Sequence, residues 1–406
     1  MLLLGEEWYY LCNFGVVFQI YINMNYIKRD IEPRILEAAN YFPVITVTGP
    51  RQSGKTTMLR HVFPHLHYYS LEDLDTRNFA MEDPVRFLHL HQEGMILDEV
   101  HNLPDLLSYI QGIVDQEPEK KYILSGSSNF ALLKKVSQSL AGRTGVFELM
   151  PLSIAEAKHG NVNITNVDTL LYNGLYPAVC SGKNIPKFLY PSYVKTYLER
   201  DVRDLLNVKD MRQFSMFLKL CAGRIGSLYN ATEIANEVGV TTKTIQSWTS
   251  ILQASYVLYL LPPYFENTRK RLIKSPKIYF CDTCLACALL GVESAEQLVF
   301  DKMRGHLFEN LIVTELLKHR LNEGKGANLY FYRDSNQNEI DILVSHPASL
   351  DAIEVKSAMT FSLSFEKALK KVGDWVNVPI AKRMVVYTGT LEDRNGEIQL
   401  LNYQNL

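Results

Sequence analysis

The run Gly49-Pro50-Arg51-Gln52-Ser53-Gly54-Lys55-Thr56 satisfies the spacing G-x-x-x-x-G-K-[ST] without a mismatch. That spacing belongs to a phosphate-binding loop. Glycines at 49 and 54 let the backbone curl until successive N–H groups face one anion. Lys55 is placed to reach the β- and γ-phosphates of a nucleoside triphosphate, and the Thr56 hydroxyl to hold Mg²⁺, with Thr57 continuing the run. Such a site needs a second, acidic half. Gly94-Met95-Ile96-Leu97-Asp98-Glu99 is an apolar run closing on two carboxylates. Asp98 is expected to hold Mg²⁺ through water, and Glu99 to orient and deprotonate the attacking water. A third apolar run, Lys121-Tyr122-Ile123-Leu124, leads into Ser125-Gly126-Ser127-Ser128-Asn129. Ser128 or Asn129 stands where a polar group can touch the γ-phosphate or the water; a plain Ser/Gly turn is the alternative. Arg143, in Ser139-Leu140-Ala141-Gly142-Arg143, is either a surface charge or a finger that one subunit inserts into its neighbour's site, which implies a homo-oligomer.

A second set of residue types lies near the other end of the chain. Asp341 is followed by Glu354-Val355-Lys356, and Glu309 stands on a preceding helix pattern. In an αβββαβ order this is the layout of the PD-(D/E)XK nuclease core. Asp341 and Glu354 would bind a divalent metal through oxygen, with Glu309 completing the shell or holding a second ion. Lys356 would activate the attacking water or stabilise charge on the phosphate. Glu354 and Lys356 share a face because strand side chains repeat with period two. The alternative is the same fold without cleavage, carrying a cross-strand salt pair.

The elements that must position these residues are also patterned. Val44-Ile45-Thr46-Val47 reads as a buried parallel strand, and Thr57 to Val62 opens a helix. Residues 25–40 read as a helix, Tyr68-Tyr69-Ser70-Leu71 as a short strand, Asp73 to Phe87 as a charged helical excursion, and Phe147-Glu148-Leu149 as a closing strand. Alternating strands and helices predict an α/β fold with a parallel sheet. Residues 152–210 turn helical, and Tyr197 to Asp204 alternates charge as a solvated helix face, from which Arg200 or Arg203 could also reach the nucleotide. Residues 212–263 read as a winged helix-turn-helix: Phe214 to Cys221, an Asn230-capped helix ended by Gly239, Thr242 to Leu252, then a wing strand at 256–261. Its third helix carries one lysine, Lys243, but Arg269, Lys270, Arg271, Lys274 and Lys277 follow, so the wing region could neutralise DNA phosphates; a protein–protein role is the alternative. Cys281, Cys284 and Cys287 have metal-ligand spacing, yet also read as the start of a buried apolar helix.

These readings divide the chain into an extension (1–24), a P-loop ATPase domain (25–155), a helical lid (156–211), a winged-helix domain with its connector (212–300) and a nuclease-like α/β domain (301–406). Composition fits ordinary globular packing: 47% hydrophobic and 21% charged over 406 residues. A net charge of −2, from 42 basic and 44 acidic residues, confines any nucleic-acid contact to a local patch. Six cysteines and no secretory leader pattern argue for the reducing cytoplasm. The apolar stretch Trp8 to Ile22, broken by Asn13, is short for a membrane span, so no membrane partner is expected, although an anchor is the alternative; the functional chain is expected to begin near Met24.

Taken together, the phosphate loop, Ser139-Leu140-Ala141-Gly142-Arg143, Tyr197 to Asp204 and Lys274-Ser275-Pro276-Lys277 resemble a prokaryotic family. That family pairs an AAA-type ATPase domain with a C-terminal domain of unknown function. The resemblance covers nearly everything after Met24. It implies ATP as the nucleotide, Lys55, Asp98 and Glu99 as functional positions, and a nuclease-like terminal fold. The expectation is an oligomeric, Mg²⁺-dependent ATPase whose ATP cycle controls action on DNA. The alternative is a slow nucleotide switch that binds a protein partner through an inactive nuclease-like platform.

Overall fold

The computed structural model describes residues 26–126, 139–196, 210–264 and 275–406. The extension 1–24, Ser128, Asn129, the charged run at Tyr197 to Asp204 and the basic residues Arg269, Lys270, Arg271 and Lys274 lie outside the described residues.

Five strands form the first sheet: β1 Val44–Thr48, β2 His67–Ser70, β3 Gly94–Asp98, β4 Lys121–Gly126 and β5 Thr144–Glu148. Their order is β2-β3-β4-β1-β5, and every pairing is parallel. Period two sorts the side chains onto two faces. Ile45, Val47, Ile96 and Ile123 join Met58 and Leu59 in one core, while Val44, Met95, Leu97, Tyr122 and Leu124 join Phe87, Leu107 and Ile110 in the other. The sheet therefore needs apolar helices on both sides, and β1, β3 and β4 read as near-continuous apolar runs.

Two helices differ from the sequence expectation. The first begins at Glu32, not at residue 25, and runs to Ala39. Pro33 suits a first turn, and the backbone before it is engaged elsewhere: Arg29 N donates to Glu32 Oε1 at 2.6 Å and Asp30 N to Glu156 Oε1 at 2.8 Å. The excursion at 73–87 is two helices, Leu74–Glu82 and Pro84–Leu88, because Pro84 has no N–H with which to continue the first. Asp73 and Asp83 cap them through the backbone N–H groups of Thr76 and Arg86.

Beyond β5, short helices at Ile154–His159, Val167–Asn173, Pro177–Cys180 and Pro186–Tyr193 precede three more at Met211–Ala222, Ala231–Val238 and Thr242–Ala254. Asn230 caps the middle one and Gly239 ends it in the left-handed region, as the spacing predicted. Strands β6 (Leu258–Leu261) and β7 (Lys277–Phe280) then pair antiparallel. A helix at Thr283–Leu290 and the long helix Arg304–Asn322 lead to a second sheet. It comprises β8 Leu329–Arg333, β9 Glu339–Ser345, β10 Leu350–Lys356, β11 Ile380–Tyr387 and β12 Gln399–Asn402, in the order β12-β11-β10-β9-β8. The pairings β8–β9 and β9–β10 are antiparallel, whereas β10–β11 and β11–β12 are parallel. Strand β12, unforeseen in sequence, is four residues long and follows an Asp393-Arg394-Asn395-Gly396 turn. The boundaries read at 156, 212 and 301 divide the chain but not its interior. One apolar cluster runs from Met150 through Phe214, Trp248, Cys284 and Leu311 to Tyr403. Among the described residues no helix is long and apolar enough to cross a membrane.

The joint between the segment before the first helix and the helix Ile154–His159 is a buried ion pair, Arg29 Nε to Glu156 Oε1 at 3.1 Å, with the two side chains 3% and 0% exposed. Arg29→Met keeps the apolar stem but leaves Glu156 without its cation, a loss of about 3–5 kcal/mol for a buried pair. Calorimetry should show the first unfolding transition moved to lower temperature. An unmoved transition would mean that the pair does not hold the joint.

Candidate nucleotide site

The loop between β1 and the helix Lys55–Val62 has the backbone its glycines require. Gly49 has φ 147, and a Cβ there would lie 2.1 Å from the Leu149 carbonyl oxygen; Gly54 has φ 90 and turns the chain into the helix. Lys55, 5% exposed, donates to the carbonyls of Gly49 at 2.9 Å and Pro50 at 2.8 Å. Burial pulls its ammonium down to about 8, against the upward pull of Glu99 and Asp98. Asp98 ends β3 facing the loop. Its Oδ2 accepts from the Thr56 hydroxyl at 2.7 Å and from the Tyr68 hydroxyl at 2.8 Å, and its Oδ1 accepts from the Ser125 hydroxyl. Glu99 follows in the left-handed region at φ 51, with Oε2 3.1 Å from His101 Nδ1.

A cleft of about 780 Å³ opens over the loop. One wall holds Arg51, Gln52, Lys55, Thr56 and Thr57, with Glu99 and Glu72 also lining the cleft; Tyr26 and Arg29 line it from the N-terminal segment, and Pro177, Ser181, Lys183 and Tyr193 from the short helices. The donor set fits a Mg²⁺–triphosphate pair. A hydroxyl and a carboxylate stand side by side as hard oxygen ligands, beside a lysine and a helix N-terminus. The described residues expected at this site, Gly49 to Thr57 with Asp98 and Glu99, thus come together.

Arg143 lies elsewhere. It precedes β5 at the N-terminal edge of the sheet, while the phosphate loop leaves the C-terminal edge of the parallel β1. About 16 Å of strand separates the two edges. Its guanidinium is held by Asp115, Nε to Oδ1 at 2.5 Å and Nη2 to Oδ2 at 2.8 Å.

In the second sheet, Lys356 Nζ lies 2.7 Å from Glu354 Oε2 and 3.4 Å from Asp341 Oδ2, so the period-two expectation holds. Asp341 Oδ2 also accepts from Val355 N at 2.8 Å. Burial and the charge of Asp341 push Glu354 up to about 8, and the same two causes push Glu309 up. Lys277 departs from expectation. It does not belong to a solvent-facing basic wing: it is 3% exposed, 3.2 Å from Glu309 Oε1 and 2.6 Å from Glu339 Oε1. Tyr279 donates to Glu309 at 2.5 Å. Glu309, Asp341 and Glu354, expected as a metal shell, are therefore shared among Lys277, Tyr279 and Lys356, and among the described residues no three His, Cys, Asp or Glu side chains form a group able to hold a metal ion. Cys281, Cys284 and Cys287 are buried free thiols in the apolar core, pushed up by burial and so away from the thiolate that binds metal.

Residues 41–158 match an AAA domain family. This segment is similar to AAA-type ATPase domains. Residues 164–296 and 304–406 match two domains of unknown function, DUF8612 and DUF4143. An uncharacterized protein of Mycobacterium tuberculosis is 29% identical over 371 residues, covering 89% of this chain and 80% of that relative. One from Methanocaldococcus jannaschii is 22% identical over 349 residues, covering 78% and 75%. A Walker-type ATPase of Pyrococcus abyssi is similar in structure at 14% identity and a TM-score of 0.42, over 65% of this chain and 96% of that one.

The AAA segment begins after Arg29, which sequence reasoning missed. Arg29 Nη1 donates to Ser53 O at 2.9 Å and Nη2 to Met150 O at 2.7 Å, bracing the phosphate loop from outside its motif. Its partner Glu156 was discoverable, because Ser153-Ile154-Ala155-Glu156 has capping-box spacing and forms that box. Tyr68 was read only as a strand residue.

The lowered ammonium of Lys55 makes nucleotide binding proton-linked. Phosphate charge raises the lysine when nucleotide binds, so above about pH 8 the chain must take up a proton and affinity must fall as pH rises. Calorimetric titration of Mg²⁺·ATP in buffers of different ionisation heat should show little uptake near pH 7 and a substantial fraction of a proton at about pH 9. Equal uptake at both would contradict the assignment.

Proposed function

We propose that this chain is a Mg²⁺-dependent ATPase whose ATP cycle controls action on DNA. One observation carries the ATPase reading: Lys55 and Thr56, at the start of a helix opened by Gly54, line one cleft with Glu99, and the Thr56 hydroxyl is bonded to Asp98 at 2.7 Å. Lys55 and the loop N–H groups bind the phosphates, and Thr56 with Asp98 would hold Mg²⁺, which neutralises phosphate charge when bound. Glu99 orients the attacking water and takes its proton, a task that needs position more than covalent chemistry. Lys55→Ala should abolish ATP binding. Glu99→Gln should bind ATP and turn it over orders of magnitude more slowly. Wild-type turnover by Glu99→Gln would remove the base assignment.

Arg143 sits at the opposite edge of the sheet from its own phosphate loop, so any catalytic role runs between subunits of a homo-oligomer and requires release from Asp115. Arg143→Ala and Glu99→Gln chains, each nearly inactive alone, should regain activity on mixing. No recovery between subunits shown to exchange would exclude the finger. For DNA, the support is a three-helix and hairpin arrangement of winged-helix type, whose third helix exposes Lys243, Gln246, Ser247 and Ser250, together with the sequence Arg269-Lys270-Arg271, which lies outside the described residues. Duplex or single-stranded DNA should stimulate ATP turnover.

A second reading is supported by the ionic cluster. Lys277 and Lys356 already engage the carboxylates that a nuclease would give to metal, which favours a nuclease-like platform for a protein partner. With Mg²⁺ or Mn²⁺ the platform leaves DNA intact at every nucleotide state. Cleavage that Asp341→Ala and Lys356→Met abolish, with ATPase activity retained, would restore the nuclease with Glu309, Asp341 and Glu354 as its metal ligands.

A further inference from the structure

We propose that Tyr256 is a positioning residue for the phosphate loop, through which the helix Thr242–Ala254 becomes part of the nucleotide site. This rests on the nucleotide reading of that loop. The Tyr256 hydroxyl and Thr48 Oγ1 are 2.7 Å apart and buried. Thr48 is the last residue of β1, and the next residue is Gly49. Tyr256 comes from the far side of the molecule's chain order, two residues beyond the end of the helix and two before β6.

Its backbone is unusual for an aromatic residue. With φ 57 it occupies the left-handed region, a conformation that persists only when the surroundings enforce it. They do: Tyr256 N donates to Gln253 O at 3.0 Å, Val257 N to Leu252 O at 2.8 Å, and Cys281 N to Val257 O at 3.0 Å. These bonds fix the turn that carries the ring, 6% exposed, to the end of β1.

The loop has two anchors at opposite ends. Arg29 holds the Ser53 carbonyl just before Gly54, and Tyr256 holds Thr48 just before Gly49. The backbone beyond Thr48 has no slack, since Gly49 lies against Leu149 and Leu149 N donates to Thr48 O at 2.8 Å. A shift of the helix therefore reaches the first N–H groups of the loop through a single hydroxyl contact.

The test uses the full chain with Tyr256→Phe, Thr48→Val, the two combined, and Thr48→Ser, measured by steady-state ATP turnover. Tyr256→Phe and Thr48→Val should each raise KM about five-fold with kcat little changed, the loss expected for one buried hydrogen bond. The double variant should be no worse than either single one, and Thr48→Ser should retain the wild-type KM. An unchanged KM in Tyr256→Phe, a multiplied effect in the double variant, or a loss confined to kcat would overturn the inference. A wild-type chain without saturable Mg²⁺·ATP binding would instead remove the nucleotide reading itself.

Discussion

The Arg29 guanidinium is buried where four chain segments meet. It touches the phosphate loop at Ser53, the strand exit at Met150 and the Glu156 carboxylate. Glu156 in turn accepts from Asp30 N, from Ser153 N at 2.8 Å and from Asn322 at the end of the long C-terminal helix. A charge so deeply buried is tolerated only when every neighbour is placed to compensate it. The pair therefore acts as a geometric constraint more than as a source of stability. It fixes the loop, the helix Ile154–His159 and the helix Arg304–Asn322 relative to one another.

A second buried charge set carries the same joint outward. Glu315 Oε2 accepts from Ile154 N at 2.7 Å, and Lys318 donates to Leu152 O at 2.9 Å, both from the helix Arg304–Asn322. Nearer its start the same helix presents Glu309 to Lys277 of β7. The nucleotide cleft, the hairpin and the C-terminal sheet thus share one helix as a common strut. A change at the cleft has a mechanical route to both distant elements, through charged contacts that hold their partners in fixed positions.

Local chemistry made half of this visible in the sequence. The phosphate loop, the acid-ended β3 and the period-two pair Glu354 and Lys356 depend on neighbours within a few residues, and all stand where their spacing placed them. Asn230 and Gly239 bound their helix for the same reason. The partners of long-range contacts were not visible. Nothing near Arg29 indicates that it reaches Met150, and nothing near Lys277 separates it from the basic residues before it. Its burial follows from pairing between β6 and β7, which turns it toward Glu309 and Glu339. Strand β12 was missed because its four residues have too short an alternation to stand apart from a loop. Helix starts at residue 25 and across Pro84 were misread where proline and the carboxylates that accept from Arg29 N and Asp30 N overrode a plausible pattern.

The central claim is that nucleotide binding is felt by the bracing of the loop as well as by the loop itself. Hydrogen exchange across the whole chain, measured with and without Mg²⁺·ATP, tests it most directly. Slowed exchange is predicted at 49–57 and, with the same dependence on ATP concentration, at 26–32, 150–158 and 253–258. Protection confined to 49–57, or absent altogether, would contradict it.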